Sequence, residues 1–318
     1  MGNDVLVITE HFDGAVADIS YEMVGKAKSV AAALGGEAIA VMLGSGMGAA
    51  AGSFASDSTV YVDDPALEQF NPEAYGKVIA ALMADKAPRL TMVGSTAIGM
   101  DLGAWLAAKS DSEFVAYVGD VAADGGDLVI SSRLYAGKLT AEVVSGGGSA
   151  VVAMLAGSGD AAAGRGETAV SQIGSPVDLS SLKTKFVKLN RPAGGDIDIT
   201  AEDKLIAVGR GIGSADNIEL VQELAEAMGA VVAASRPITD AGWLPKTRQV
   251  GKSGVSVKPK LYLMLGISGA PEHLEGMKDA ECIIAVNTDP KAPIFNVAHY
   301  GTTCDLFEVA EAMLEALG

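Results

Sequence analysis

Short apolar runs, each closed by a turn residue and followed by a helix-like stretch, recur along this chain and limit what it can fold into. Val5 to Thr9, Ala38 to Leu43, Val60 to Val62 and Leu90 to Val93 are such runs in the first half. Lys204 to Val208, Val231 to Ala234, Leu261 to Leu265 and Cys282 to Val286 are their counterparts in the second. A run that is apolar without alternation is buried on both faces, as a strand of a parallel sheet is. Between the runs, Tyr21 to Leu34, Pro72 to Ala84, Met100 to Lys109, Ala215 to Met228 and Asp305 to Leu317 read as helices; in the first of these Met23, Ala27, Val30, Ala31 and Leu34 share a face. The pattern predicts an α/β protein.

The rhythm breaks once inside the first half. Phe114 to Val121, Leu128 to Leu134, Leu139 to Val144 and Ala150 to Leu155 are β-rich runs joined by turns such as Asp124-Gly125-Gly126-Asp127, which predicts a meander added to the parallel sheet. A polar stretch broken by Pro and Gly, Asn190 to Asp196, is the clearest linker. The expected architecture is therefore two domains. Residues 1–193 form an α/β domain with a mainly parallel sheet plus a β extension, and 194–318 form a doubly wound domain. A length of 318 residues suits two cores.

Charge narrows the function. The net charge is −17, with 10 Lys/Arg against 18 Asp/Glu from Gly194 onward and 13 against 22 before it. That even acidity excludes an overall footprint for nucleic acid. Yet from Ala241 to Pro271 there is no acidic residue, while Lys246, Arg248, Lys252, Lys258 and Lys260 stand among the glycines of Gln249 to Gly254 and Gly266 to His273. Backbone N–H groups freed by glycine can converge on phosphate oxygens, with cations nearby to offset charge. A nucleotide-like cofactor is the first hypothesis.

Individual motifs refine it. Gly209-Arg210-Gly211-Ile212-Gly213-Ser214 follows a strand and precedes a helix, but Ser214 replaces the third glycine of the dinucleotide fingerprint. Ser235-Arg236 also stands where that fingerprint wants a ribose-binding acid. It reads as a phosphate-facing turn, or as a plain Gly-rich turn. Gly251-Lys252-Ser253 is not a P-loop, because the required earlier glycine is Lys246. Ser268 is placed to cap a helix starting near Pro271, with His273 in its first turn, facing whatever lies above the sheet edge. His11 and His299 lack ligand-spaced partners, so no metal site is expected. Cys282 and Cys304 predict no disulfide, Cys282 reading as core. With no signal segment and no apolar run near ~20 residues, a soluble, cytoplasmic protein is expected.

Taken together, Gly209 to Asn217, Ala234 to Pro245, Gln249 to Gly254, Gly266 to Asp279, Val286 to Phe295 and Tyr300 to Phe307 resemble the α subunit of electron transfer flavoprotein, in order and over nearly all of the second domain. The first 193 residues resemble it more loosely, through Val5 to Gly14 and the strand pattern. The resemblance implies FAD bound in an extended pose by Arg210, Ser235, Arg236, Gln249, Val250, Gly251, Lys252, Ser253, Gly266, Ser268, Gly269, Ala270, Pro271, Glu272, His273, Asn287, Asp305 and Leu306. Arg236 would lie against the isoalloxazine, Ser253 near N5 and His273 at the O2 edge. Arg236 and His273 would then stabilise negative charge on the flavin, at roughly 1.5–3 kcal/mol per charge-assisted hydrogen bond.

The resemblance further implies a heterodimer whose β subunit, contacting the N-terminal domain, carries AMP or a second FAD. The dehydrogenase partner would be a flavoprotein such as acyl-CoA dehydrogenase, and the acceptor a quinone oxidoreductase. Gly242 to Arg248 is more basic than in the commoner respiratory form, and Lys252 stands where that form usually has Gln. This departure points to the electron-bifurcating branch, in which NADH feeds a flavin of the β subunit. A NAD-binding hydrolase or transferase, and a noncatalytic nucleotide-binding module, are the alternatives on the same kind of domain.

Overall fold

The computed structural model describes residues 2–135, 137–189 and 197–318. Contacts divide the chain into two compact units, Met1–Lys188 and Leu189–Gly318. The linker Asn190–Asp196 and the boundary expected at 193 lie outside the described residues.

The first unit runs β1 (Val5–Ile8), a small hairpin of β2 (His11–Phe12) and β3 (Ala15–Val16), α1 (Asp18–Leu34), β4 (Ala38–Gly44), α2 (Gly48–Ala51), β5 (Ser58–Asp63), α3 (Pro72–Lys86), β6 (Leu90–Gly94) and α4 (Ala97–Ser110). It continues with β7 (Glu113–Asp124), β8 (Asp127–Leu134), β9 (Leu139–Ser145), β10 (Ala150–Met154) and β11 (Val170–Ile173). Nine strands form one sheet in the order β11-β5-β4-β1-β6-β10-β7-β8-β9. All neighbours are parallel except β7–β8 and β8–β9.

The meander is therefore three strands, not four. Ala150 to Met154 belongs instead to the parallel core, between β6 and β7. Burial explains why: β10 is at most 2 % exposed at every position, whereas β9 alternates. A three-stranded excursion could not return to the sheet centre through so short a loop unless it curled. It curls at Tyr117, which has φ of 54°, where the register of β7 shifts. The first half of β7 pairs with β10 and the second with β8. Ser145 thereby comes back to the root of β6, where the buried Arg89 guanidinium donates to the Ser145 carbonyl (2.6 Å) and to the Gly148 carbonyl.

The second unit runs β12 (Lys204–Val208), α5 (Ile218–Met228), β13 (Val231–Ala234), α6 (Arg236–Asp240), β14 (Leu261–Leu265), α7 (Pro271–Leu274), β15 (Ile283–Val286), β16 (Tyr300–Thr302) and α8 (Leu306–Leu317). Its sheet is wholly parallel, in the order β13-β12-β14-β15-β16. On one face α5 and α8 bury Val221, Leu224, Leu306 and Ala310 against Ile206, Val208 and Leu263. The other face is closed by irregular chain, with Val250, Val257, Met277 and Ile294 packed on Leu205, Tyr262 and Met264.

α5 begins three residues later than the pattern predicts. Gly213, at φ of 82°, turns the chain, and the Asn217 amide donates to the Ile212 carbonyl, so residues 213–217 form a turn. Cys282 is half-buried just ahead of β15 and Cys304 is exposed; both are free. Among the described residues, no helix is long and apolar enough to cross a membrane.

Candidate functional site

In an open parallel sheet, a ligand crevice opens where consecutive connections leave a strand in opposite directions. In the second unit that point lies between β12 and β14. The turn after β12 (Gly209 to Gly213) and the turn after β14 (Gly266 to Ala270) meet there. The Gly209 N–H donates to the Leu265 carbonyl (2.9 Å) and the Gly211 N–H to the Gly266 carbonyl (3.1 Å). The two backbones touch. A Cβ on Gly209 would sit 2.3 Å from the Gly266 carbonyl oxygen, and one on Gly211 2.7 Å from the Gly266 Cα. Gly266 itself has φ of 66°. Leu306, at the start of α8, packs on the same glycine from the apolar face.

A second loop approaches from beside β13. The Val250 N–H donates to the Ala234 carbonyl (2.9 Å), after which the chain turns at Gly251, with φ of 129°. The Lys252 N–H donates to the Glu272 carbonyl (2.7 Å), which ties this loop to α7. A Cβ on Gly251 would lie 2.6 Å from that same carbonyl oxygen, so glycine is required for the close approach. Gln249 is buried at the base. Its Oε1 accepts from Thr239 (2.6 Å) and its Nε2 donates to the Ser253 hydroxyl (3.0 Å), Ser253 being exposed.

The residues proposed from sequence thus fall at the carboxyl ends of β12 to β16 and on the loop beside β13. Arg210 is exposed at the first turn. Ser235 is buried after β13, and Arg236 follows it, exposed and paired with Asp240 (3.1 Å). At the end of β15, Asn287 donates to the Ile267 carbonyl (2.8 Å) and so anchors the turn after β14. Gly269, at φ of 86°, lies against Ile294.

Two details differ from expectation, at Ser268 and at His273. Ser268 does not cap α7; Ala270 holds that position without a side-chain bond, and the Ser268 carbonyl is used instead by the Ile294 N–H (3.1 Å). The Asp305 carboxylate caps α8 through the Phe307 N–H (2.8 Å). His273 faces inward rather than over the sheet edge: it is 6 % exposed, with Nε2 3.2 Å from the Tyr262 hydroxyl and Nδ1 buried without a hydrogen bond. Burial pulls its pKa down to about 4. In this arrangement the ring is neutral near pH 7 and supplies no positive charge. Arg210, Arg236 and Lys252 are exposed on the segments that follow β12 and β13 and on the Gln249–Val255 loop.

Thr239 and Tyr262 were not singled out from the sequence. Thr239 carried no signal, being one hydroxyl within a turn of polar residues. Tyr262 had one: a tyrosine inside an otherwise aliphatic strand brings a hydroxyl that needs a buried partner. Burial also raises the Tyr262 pKa, so it stays protonated.

A wholly parallel sheet of order 2-1-3-4-5, with two glycine turns back to back at its switch point, defines an α/β domain of the doubly wound, cofactor-binding class. Residues 198–278 match the family model described as the electron transfer flavoprotein FAD-binding domain, and residues 5–175 match the electron transfer flavoprotein domain. The chain is 36 % identical over 315 residues to electron transfer flavoprotein subunit alpha of Methylophilus methylotrophus, covering 97 % of each chain. It is 31 % identical to the subunit of the same name in Bacillus subtilis, over 99 % of this chain and 97 % of that one. It is 33 % identical to the protein FixB of Clostridium saccharobutylicum, over 98 % and 95 %. The chain belongs to the electron transfer flavoprotein α-subunit family, and its C-terminal unit is a flavin-binding domain that serves electron transfer.

Proposed function

We propose that the C-terminal unit holds one FAD across the carboxyl edge of its sheet. The chain pairs with a β subunit carrying AMP or a second FAD, and passes electrons from a flavin dehydrogenase, such as an acyl-CoA dehydrogenase, to an acceptor such as a quinone oxidoreductase. The observation that carries this reading is the close contact of Gly209 and Gly211 with Gly266, which brings the turns after β12 and β14 together at the switch point, where a doubly wound sheet takes its ligand. The cradle fits a nucleotide-type group in its donor chemistry as well. Exposed Arg210 and Lys252 offset phosphate charge, while Gly251 lets the Gln249–Val255 loop close against the Glu272 carbonyl at α7.

FAD supplies one- and two-electron redox chemistry when bound. The chain's part is binding and electrostatics. Arg236 provides a movable positive charge at the end of β13, held meanwhile by Asp240. Its removal destabilises an electron-rich ligand more than a neutral one. Arg236→Ala is expected to lower the two-electron midpoint potential by about 30–60 mV, the equivalent of one charge-assisted hydrogen bond. Redox titration of the purified complex reads this directly, and an unchanged midpoint removes Arg236 from that role.

The test of the reading itself is the visible spectrum and flavin count of the chain purified with its partner subunit. About one FAD, with one AMP, supports a shuttle between dehydrogenase and acceptor. About two supports an electron-bifurcating complex fed by NADH, in line with the basic stretch before Gln249 and with Lys252. A colourless complex that takes up no added FAD refutes the assignment of this site.

A further inference from the structure

The loop that begins at Gln249 is held by that residue twice. Through its backbone, the Gln249 carbonyl accepts from the Val255 N–H (2.8 Å) and closes the loop, with Gly254 packed so tightly on it that a Cβ would stand 2.2 Å away. Through its side chain, Gln249 reaches Thr239 of α6 on one side and Ser253, within the loop, on the other.

The distances fix which end of the amide is which. A contact of 2.6 Å to Thr239 Oγ1 is shorter than N–H···O bonds run and falls where O–H···O bonds do, so the amide oxygen faces the threonine and accepts its proton. The 3.0 Å contact to Ser253 is the ordinary N–H···O length. Thr239 Oγ1 also lies 3.0 Å from the Arg236 carbonyl, the weaker claim on its single proton. Once Nε2 donates to Ser253, one lone pair of that hydroxyl is taken and its proton has no inward acceptor in the pair.

From this geometry we propose that Gln249 is a positioning residue. Backed by Thr239, it holds the exposed Ser253 hydroxyl as a hydrogen-bond donor aimed outward, toward an acceptor atom of the flavin ring. The proposal rests on the FAD reading above. It gives a buried glutamine and a threonine, neither on the open face of the loop, control over the polarity of a hydroxyl that is.

The test uses the FAD-loaded complex and reads the visible absorption bands and two-electron midpoint potential, at matched flavin content. Ser253→Ala removes the donor, and Gln249→Met keeps bulk without orienting it. Each is expected to change the relative affinity for oxidised and reduced flavin about tenfold in the same direction, or ~30 mV. The double variant is expected to go no further than either single one, because both changes remove one interaction. Thr239→Val should move the same readouts by less and with the same sign, and Thr239→Ser should restore them.

Equal and additive shifts for Ser253→Ala and Gln249→Met overturn the proposal, as does a shift in Ser253→Ala that Gln249→Met lacks. Where Gln249→Met does not retain flavin, Thr239→Val decides: its bands and potential unchanged from wild type overturn the proposal equally. A wild-type complex that binds no FAD refutes the FAD reading instead, and is seen before any variant is made.

Discussion

Gly209→Ala is expected to destabilise the C-terminal unit by about 3–5 kcal/mol and to leave the complex without bound flavin. The new methyl carbon would stand 2.3 Å from the Gly266 carbonyl oxygen and 2.7 Å from the Ile267 Cα, both backbone atoms that cannot swing aside as a flexible side chain can. The only escape is to part the turns after β12 and β14. That breaks the bond from the Gly209 N–H to the Leu265 carbonyl and opens the crevice where the ligand is proposed to sit. Gly254→Ala meets a similar clash, with the Gln249 carbonyl, in the Gln249–Val255 loop rather than at these two turns. Denaturant unfolding and flavin absorbance, measured on the same preparation, separate the two losses. A stable Gly209→Ala complex with full flavin content contradicts the close approach of the two turns.

The C-terminal unit is also expected to lose stability in mild acid, by up to roughly 3 kcal/mol between pH 6.5 and 4. His273 takes a proton near its ordinary pKa when unfolded, but only near about 4 when folded, because burial opposes the charge. Between those values the unfolded chain binds more protons, so unfolding gains as pH falls, and the contribution is fully present only above about 6.5. In the N-terminal unit burial raises the pKa of Glu10 and Glu22, which shifts stability in the opposite sense. Comparing wild type with His273→Gln isolates the histidine. The stability gap between them should narrow as pH falls from 6.5 to 4, read by urea unfolding of the flavin-free complex. A gap independent of pH means that His273 is not buried as neutral imidazole.

Much of this was legible in the residues. Unbroken aliphatic runs such as Val231 to Ala234 identified parallel strands, since only a strand covered on both faces lacks polar alternation. Glycines at 209, 211, 251 and 266 marked the loops of the candidate site because each holds a backbone contact or a positive φ that other residues resist. What could not be read was anything set by distant packing. Ala150 to Met154 looked like one more hairpin strand because the bend at Tyr117, which carries no glycine, is imposed by the sheet. The inward turn of His273 depends on Tyr262, eleven positions earlier on a strand, and no local pattern pairs them. Thr239 and Gln249 meet only because the chain doubles back along β13.

The position of β11 has a consequence for how the protein is made. This strand, the last of its sheet in sequence, pairs with β5 at one edge, across more than a hundred intervening residues. During synthesis β5 leaves the ribosome with its outer edge bare, and that edge stays open until Val170 to Ile173 has emerged. An open parallel edge of this kind is a template for mispairing with another chain. The nascent N-terminal unit is therefore at greatest risk of aggregation in the interval before its ninth strand arrives, and a ribosome stalled within that interval would hold a chain that cannot finish its sheet.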